Sequence, residues 1–512
     1  MKQALSRFFG ACGVGLALCA VSVPAAVKLP AVFSDHMVLQ REQPAPIWGE
    51  AQPGAKVTVK FRDQEQTATA DAQGHWRVKL APLTAGGPDK MTVSGDSTVE
   101  FNDVLVGEVW VGSGQSNMAG GAGQYAKNDD VLAAAVAAAP YARMRLARAN
   151  KPWQEATPAN VNGFSALLFY FGARLQKELD VPVGLLLGAV GGTPSGPWLS
   201  AEALKADPAC QEAIKKHAPT FNYDEALKKY EQDLEKWKLA AAEAKEQQKR
   251  APARPQPPAK PGQQVGHLYE AHIRPFVGYG IRGVLWDQGE SGTAVSGVDQ
   301  YTLMGALING WRREWQQGAF PFIYIQKPSG GGCAWDGSNA VTRKAEAFAP
   351  LPPQTPNDGV YVETHVKIMT YPNTGMAISS DLGPGIHPVN KSGYAHRAAD
   401  VALGMVYGRK VEYYGPVYAS HKMDGDKVRV TFRHVGQGLA CKSGDKLQGF
   451  AIAGADKVFQ WADAQIDGDT VVLSCARVRQ PAFVRYAWAG KRQWANLFNK
   501  DGLPAVPFRT DQ

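Results

Sequence analysis

Between residues 104 and 408, short, mainly apolar runs alternate with stretches of helical periodicity. The runs are Glu108–Val111, Val181–Leu187, Gly283–Trp286, Phe320–Ile325 and Met376–Ser379. Each is short for a buried helix, and none shows the apolar–polar alternation of a half-exposed strand. Strands of this kind are buried on both faces, which requires helices above and below a parallel sheet. The helical stretches lie between them. Phe164–Leu179 sets Leu168, Phe171, Leu175 and Leu179 on one stripe, and Gln300–Trp315 does the same with Leu303, Leu307, Trp311 and Trp315. Lys391–Tyr407 follows the last strand. The alternation predicts an α/β unit over 104–408, a doubly wound parallel sheet in three layers.

The flanks have a different rhythm. Residues 26–103 carry short alternating runs, such as Lys56–Phe61 and Trp76–Leu80, separated by Pro53-Gly54 and Gly86-Gly87-Pro88. This predicts an N-terminal β domain of sandwich type. Residues 409–512 return to β signals at Lys427–Phe432, Thr470–Cys475 and Phe483–Trp488, predicting a second sandwich-like region. An insertion at 210–262 interrupts the central unit. In it Leu227, Tyr230, Leu234, Trp237, Ala241 and Ala244 form an a/d seam, and five prolines from Pro252 to Pro261 then give an extended return. A single seam cannot bury itself, so the helix is expected either on the domain surface or as a lid or partner helix.

Residues 1–25 read as an export signal. Lys2 and Arg7 precede the apolar stretch Phe8–Val21, and Val23-Pro24-Ala25 offers small residues for cleavage after Ala25. The expected location is periplasmic or extracellular, with no membrane insertion once the signal is removed. Of the net charge of +8, roughly +6 then remains on a chain of 512 residues. No dense basic block interleaved with aromatics is present, so nucleic acid is not an expected partner. Cys12 and Cys19 leave with the signal; Cys210, Cys333, Cys441 and Cys475 show no CxxC spacing, which argues against a zinc or redox site. Cys441–Cys475 is the best disulfide candidate, with free thiols as the alternative.

Ligands bind at the carboxyl ends of strands in an open parallel sheet, and four polar motifs fall there. Gly114-Gln115-Ser116-Asn117-Met118 puts a serine on a glycine-flanked turn, where the hydroxyl is exposed and its own N–H can meet an oxyanion. It is not a GxSxG elbow, because Met118 holds the second glycine position. Gly191-Gly192-Thr193 permits close backbone approach to a ligand. Gln288, in Gln288-Gly289-Glu290-Ser291, offers an amide donor to developing negative charge, and Glu290 is placed to support a neighbour. His387, between the last strand and the last helix, is the candidate base that takes the Ser116 proton and returns it to the leaving alcohol.

At these residues the chain resembles the sialate O-acetylesterase family of SGNH hydrolases. The resemblance lies in Leu105–Gly120 (LVGEVWVGSGQSNMAG), Gly283–Ser291 (GVLWDQGES) and Ile386–Lys391 (IHPVNK). It continues in Val32–Gly49 (VFSDHMVLQREQPAPIWG), Tyr371–Ala377 (YPNTGMA) and Leu497–Asp511 (LFNKDGLPAVPFRTD), and so covers nearly the whole chain beyond the signal. It implies an SGNH/flavodoxin-like fold and hydrolysis of O-acetyl esters on sugars through an acyl-enzyme, with an O-acetylated carbohydrate as the binding partner. Ser116 would be the nucleophile and His387 the base. The oxyanion hole would comprise the Ser116 N–H, a glycine N–H from Gly191-Gly192 and the Gln288 side chain. No metal or cofactor is implied.

Two positions depart from the family pattern. The Asp usual two or three residues before the histidine is replaced by Pro384 and Gly385, and the nearest upstream acid is Asp381. Asp381 is the favoured third catalytic member, with Glu290 or a bare Ser–His dyad as alternatives. Asp287 stands where the family has a tyrosine, which would put a charge near the site. Acetylesterases of plant polysaccharides, and a non-catalytic carbohydrate-binding protein, are the competing functional readings.

Overall fold

The computed structural model describes residues 26–511 apart from 219–221, 248–250, 253, 256, 259–264, 328–337 and 343–346. The expected signal, residues 1–25, and Cys333 lie outside the described residues. The central sheet contains β1 (Thr98–Gly114), β2 (Tyr141–Arg148), β3 (Gln154–Ala156), β4 (Val183–Ala189), β5 (Gly283–Asp287), β6 (Phe322–Ile325) and β7 (Thr374–Ala377). Their spatial order is β7–β6–β5–β1–β4–β2–β3. Every neighbouring pair is parallel except β2 with β3. The chain fills one side of β1 with β2 to β4, then crosses to the other side for β5 to β7. The order therefore reverses at β1, where the strands leave a crevice at their carboxyl ends.

The helices that concern the site are α1 (Ser116–Ala119), α2 (Ala166–Leu179), α3 (Tyr223–Glu246), α4 (Gln300–Trp315), α5 (Val360–Ile368) and α6 (Lys391–Met405). Side-chain caps fix several starts: Ser165 Oγ accepts from Leu168 N, Asp299 Oδ1 from Thr302 N and Asn390 Oδ1 from Gly393 N. Helices cover both faces of the sheet. Trp110 of β1 meets Phe171 of α2 on one side, while Trp286 of β5 and Phe322 of β6 meet Trp311 of α4 on the other. β2 escaped the sequence pattern because Arg143, Arg145 and Arg148 break its apolar run. Arg145 is nonetheless buried, and its guanidinium donates to Asp103 at 2.7 Å.

β1 joins two units. Its first half pairs antiparallel with Gly86–Ser94 of the N-terminal sheet, and its second half lies in the parallel sheet. One continuous core consequently runs from Val27 to Val506 through both. Glu108 marks the join: fully buried, it accepts from Arg282 Nε at 2.7 Å and also from Arg41 and Gln40 of the N-terminal segment. The C-terminal region has a core of its own between two four-stranded sheets.

The Cys441–Cys475 pairing is corrected by the fold. Cys441 ends a strand paired with Leu497–Asn499, whereas Cys475 follows a strand of a different sheet, and both thiols are free. In the insertion, α3 has no buried residue. Its seam meets the proline-rich return instead: Trp237 Nε1 donates to Pro252 O at 2.8 Å, and the Arg254 guanidinium stacks on the Trp237 ring.

Candidate active site

Three neighbouring strands end level with one another. Gly114 of β1 is in register with Ala189 of β4 on one side and Asp287 of β5 on the other. The turns that follow carry Ser116, Gly191 and Gln288. Gly114 has φ +127, and a Cβ there would sit 2.2 Å from the Asp287 carbonyl oxygen. Glycine is required for β1 to turn against β5, and the turn is pinned by Gln115 N–H donating to that same oxygen at 2.9 Å.

Ser116 opens α1, and His387 lies on the exposed loop before α6. The two come from positions 271 residues apart, yet His387 Nε2 is 2.7 Å from Ser116 Oγ. With Nε2 unprotonated, the hydroxyl donates to the ring, the geometry needed to remove its proton. Gly191 lies beside the serine, its would-be Cβ 3.5 Å from Ser116 Cβ. No described residue accepts a hydrogen bond from the Ser116 or Gly191 N–H. Among the described residues, then, both main-chain donors lack an internal partner. These residues open onto a cleft of about 530 Å³, also lined by Gly120, Gly121, Gln124, Tyr125, Asn128 and Val389. Its size suits a sugar-sized ligand.

Other expected site residues are placed differently. Asp381 is buried and its carboxylate accepts from Arg397 at 2.8 Å, an ion pair that holds α6 to the loop. It makes no bond to the imidazole, which corrects its assignment as the residue that orients His387. Gln288 is also buried and does not line the cleft. Its Nε2 donates to the carbonyls of Gly292 (3.2 Å) and Thr193 (3.4 Å), and its Oε1 accepts from Gln300. The amide therefore braces the Gly191–Thr193 turn and is not among the residues lining the cleft, where the expected oxyanion role would place it. Gly192 has φ +73, which lets this turn close. Glu290 Oε1 accepts from Asn117 Nδ2 at 3.1 Å and lies 2.7 Å from Lys327 Nζ.

A buried layer of charge underlies the serine. Lys327 Nζ is 2.6 Å from Asp287 Oδ1, and both side chains are fully buried. Asp287 thus places no charge in the cleft. Burial pushes its carboxyl up, with Lys327 opposing, while Asp287 and Glu290 hold the Lys327 ammonium well above its usual range despite burial. His365 of α5 packs against the same group and is driven down to about 3 by burial and then by Lys327. Gly289 is needed where this layer is tightest, because a Cβ would lie 2.7 Å from Lys327 Cγ and 2.9 Å from His365 Cε1. Lys391 completes the layer: fully buried, it is driven down to about 7 by burial. Asn117, Lys327 and Lys391 escaped the sequence reading as site residues. Asn117 and Lys391 stand in the serine and histidine motifs, but only the packed structure shows which atoms they touch.

A family model described as carbohydrate esterase, sialic acid-specific acetylesterase, matches residues 106–242. Sialate O-acetylesterase of Mus musculus is 27% identical, covering 94% of each chain, and that of Homo sapiens is 25% identical, covering 94% of this chain and 92% of its own. The crystal structure of a carbohydrate acetylesterase from Xanthomonas citri is 31% identical, covers 95% of this chain and all of its own, and superposes with a TM-score of 0.73. The chain belongs to the sialate O-acetylesterase family of carbohydrate esterases. Family membership extends over both β-rich flanks, since the relatives align across nearly the full length. The Ser116 turn lies inside the segment matched by the family model.

Proposed function

We propose that this chain is a carbohydrate O-acetylesterase that removes acetyl groups from O-acetylated sugars through a Ser116 acyl-enzyme. The observation that carries this is the 2.7 Å contact between Ser116 Oγ and His387 Nε2 at the mouth of a sugar-sized cleft. In the first half-reaction Oγ attacks the acetyl carbonyl carbon as its proton passes to Nε2. The tetrahedral oxyanion is met by the Ser116 and Gly191 N–H groups. The sugar oxygen then leaves with the proton from Nε2, and acetyl-Ser116 remains. In the second, a water loses its proton to Nε2 and attacks the same carbon. Collapse returns the proton to Oγ and releases acetate.

The SGNH-hydrolase arrangement is part of the same proposal. Its support is the strand-order reversal at β1, the helices on both faces and the serine on the turn after β1. Residues 1–25 support export, so that substrate is met in the periplasm or outside the cell. Among the described residues no helix is long and apolar enough to cross a membrane.

The test is acetate release from O-acetylated sialic acids and from acetylated xylan, xyloglucan and pectin, with wild type and Ser116→Ala. The proposal expects release from at least one class and its loss in the variant. Absence of release from all of them, and from p-nitrophenyl acetate, would leave a carbohydrate-binding protein instead.

A further inference from the structure

Lys391 occupies a costly place. It is the first residue of α6, where the helix dipole disfavours a cation, and it is fully buried. Among the described residues its Nζ makes one hydrogen bond, to Asn117 Oδ1 at 2.6 Å, and otherwise faces the rings of Tyr125 and Tyr394 at 4.5 and 5.5 Å. A fully buried lysine amine that donates to a neutral amide, with no carboxylate among the described residues bonded to it, is poor economy for stability alone.

The amide explains what the lysine does. With Oδ1 held by Lys391, Asn117 Nδ2 must face the other way. There it donates to the Ile386 carbonyl at 2.9 Å and to Glu290 Oε1 at 3.1 Å. Ile386 O belongs to the peptide unit whose nitrogen is that of His387, and Asn117 is the residue after Ser116. One side chain therefore ties the serine turn to the histidine loop across 269 residues of sequence. That loop needs a tether: Pro384 to His387 are exposed, and Ile386 is 60% accessible.

We propose that Asn117 and Lys391 are positioning residues, which hold the His387 loop at hydrogen-bonding distance from Ser116. Lys391 fixes the orientation of the Asn117 amide, and Asn117 fixes the Ile386 carbonyl. Neither touches the cleft chemistry directly. The inference rests on the Ser116–His387 reading.

Two variants test it with p-nitrophenyl acetate as substrate. Lys391→Met keeps the volume of the stem and removes the buried amine, a change that folded proteins tolerate. Asn117→Asp keeps the pairing with Lys391 but cannot donate to Ile386 O. Each is expected to lower kcat about 10²-fold, the scale of a misplaced reacting group, with KM little changed and a cooperative melt retained. The same substitutions are then made in His387→Ala. With the base gone there is nothing left to position, so the residual rate is expected to change less than about 2-fold, as for groups that act as one unit. An equal loss in both backgrounds, or a wild-type kcat in both folded single variants, overturns the proposal while leaving the Ser–His reading standing. Full activity of His387→Ala would instead sink that reading, and this inference with it.

Discussion

Asp381→Asn separates two meanings of a buried acid near a catalytic histidine. In the structure Asp381 Oδ2 accepts from Arg397 Nη2 at 2.8 Å, and the side chains are 0% and 5% accessible. Replacing the carboxylate by an amide leaves the Arg397 guanidinium buried without its counter-charge. Breaking one partner of a buried ion pair costs about 3–5 kcal/mol, and Asn retains one acceptor, so about 3 kcal/mol is expected. The bond to His387 is absent, so the imidazole has nothing to lose. The expected outcome is a lower thermal midpoint and lower denaturant resistance, with kcat on p-nitrophenyl acetate within a few-fold of wild type at a temperature where both are folded. Were Asp381 the orienting acid of a triad, the loss in kcat would be on the order of 10⁴ with little change in stability. A loss of that size in a variant that melts like wild type would refute the assignment of Asp381 to Arg397.

The remaining predictions divide between chemistry and stability. Ser116→Ala should abolish acetyl ester hydrolysis without altering the melt, and a serine-directed phosphonate should label Ser116; labelling elsewhere with surviving activity would defeat the mechanism. Gln288→Ala should cost kcat clearly less than the roughly 10²–10³-fold of a lost oxyanion donor, because its amide is spent on Thr193 and Gly292; steady-state kinetics decides. Glu108→Gln should destabilise by about 3 kcal/mol at neutral pH by breaking the Arg41–Glu108–Arg282 cluster. Although burial pushes the Glu108 carboxyl up, Arg282 and Arg41 prevail and hold it below 4.5, so its stabilisation is present above that pH and lost as pH falls through the folded value. Melts of wild type and variant should therefore converge in acid. His365, held neutral down to about 3 by burial, should cost the fold about 1.4 kcal/mol per pH unit below roughly 6.5, a slope that His365→Phe should flatten in denaturant titrations.

Local pattern made the architecture legible wherever one element answers to its own residues. Gln300–Trp315 is a helix at the expected bounds, since four large apolar side chains at helical spacing can be buried only that way. Lys56–Phe61 and Gly283 onward are strands for the corresponding reason. The Ser116, Gly191 and His387 motifs could be read because each sits where a strand ends, and strand ends are local. What the sequence did not contain was the pairing of charges. Asp381 is six positions before His387 but accepts from Arg397, one helix further on. Gln288 stands at a strand end like the others, yet points into the protein. Arg145 breaks an apolar run and is still buried, because Asp103 is there to meet it. The direction of a buried polar group is decided by whichever partner the packed fold brings within hydrogen-bonding distance, and that partner is often far away in the sequence, as Thr193 is from Gln288 and Asp103 from Arg145. The chain specified its strands, its helices and the residue types at their ends; the tertiary structure alone decided which of those residues face the cleft and which hold one another beneath it.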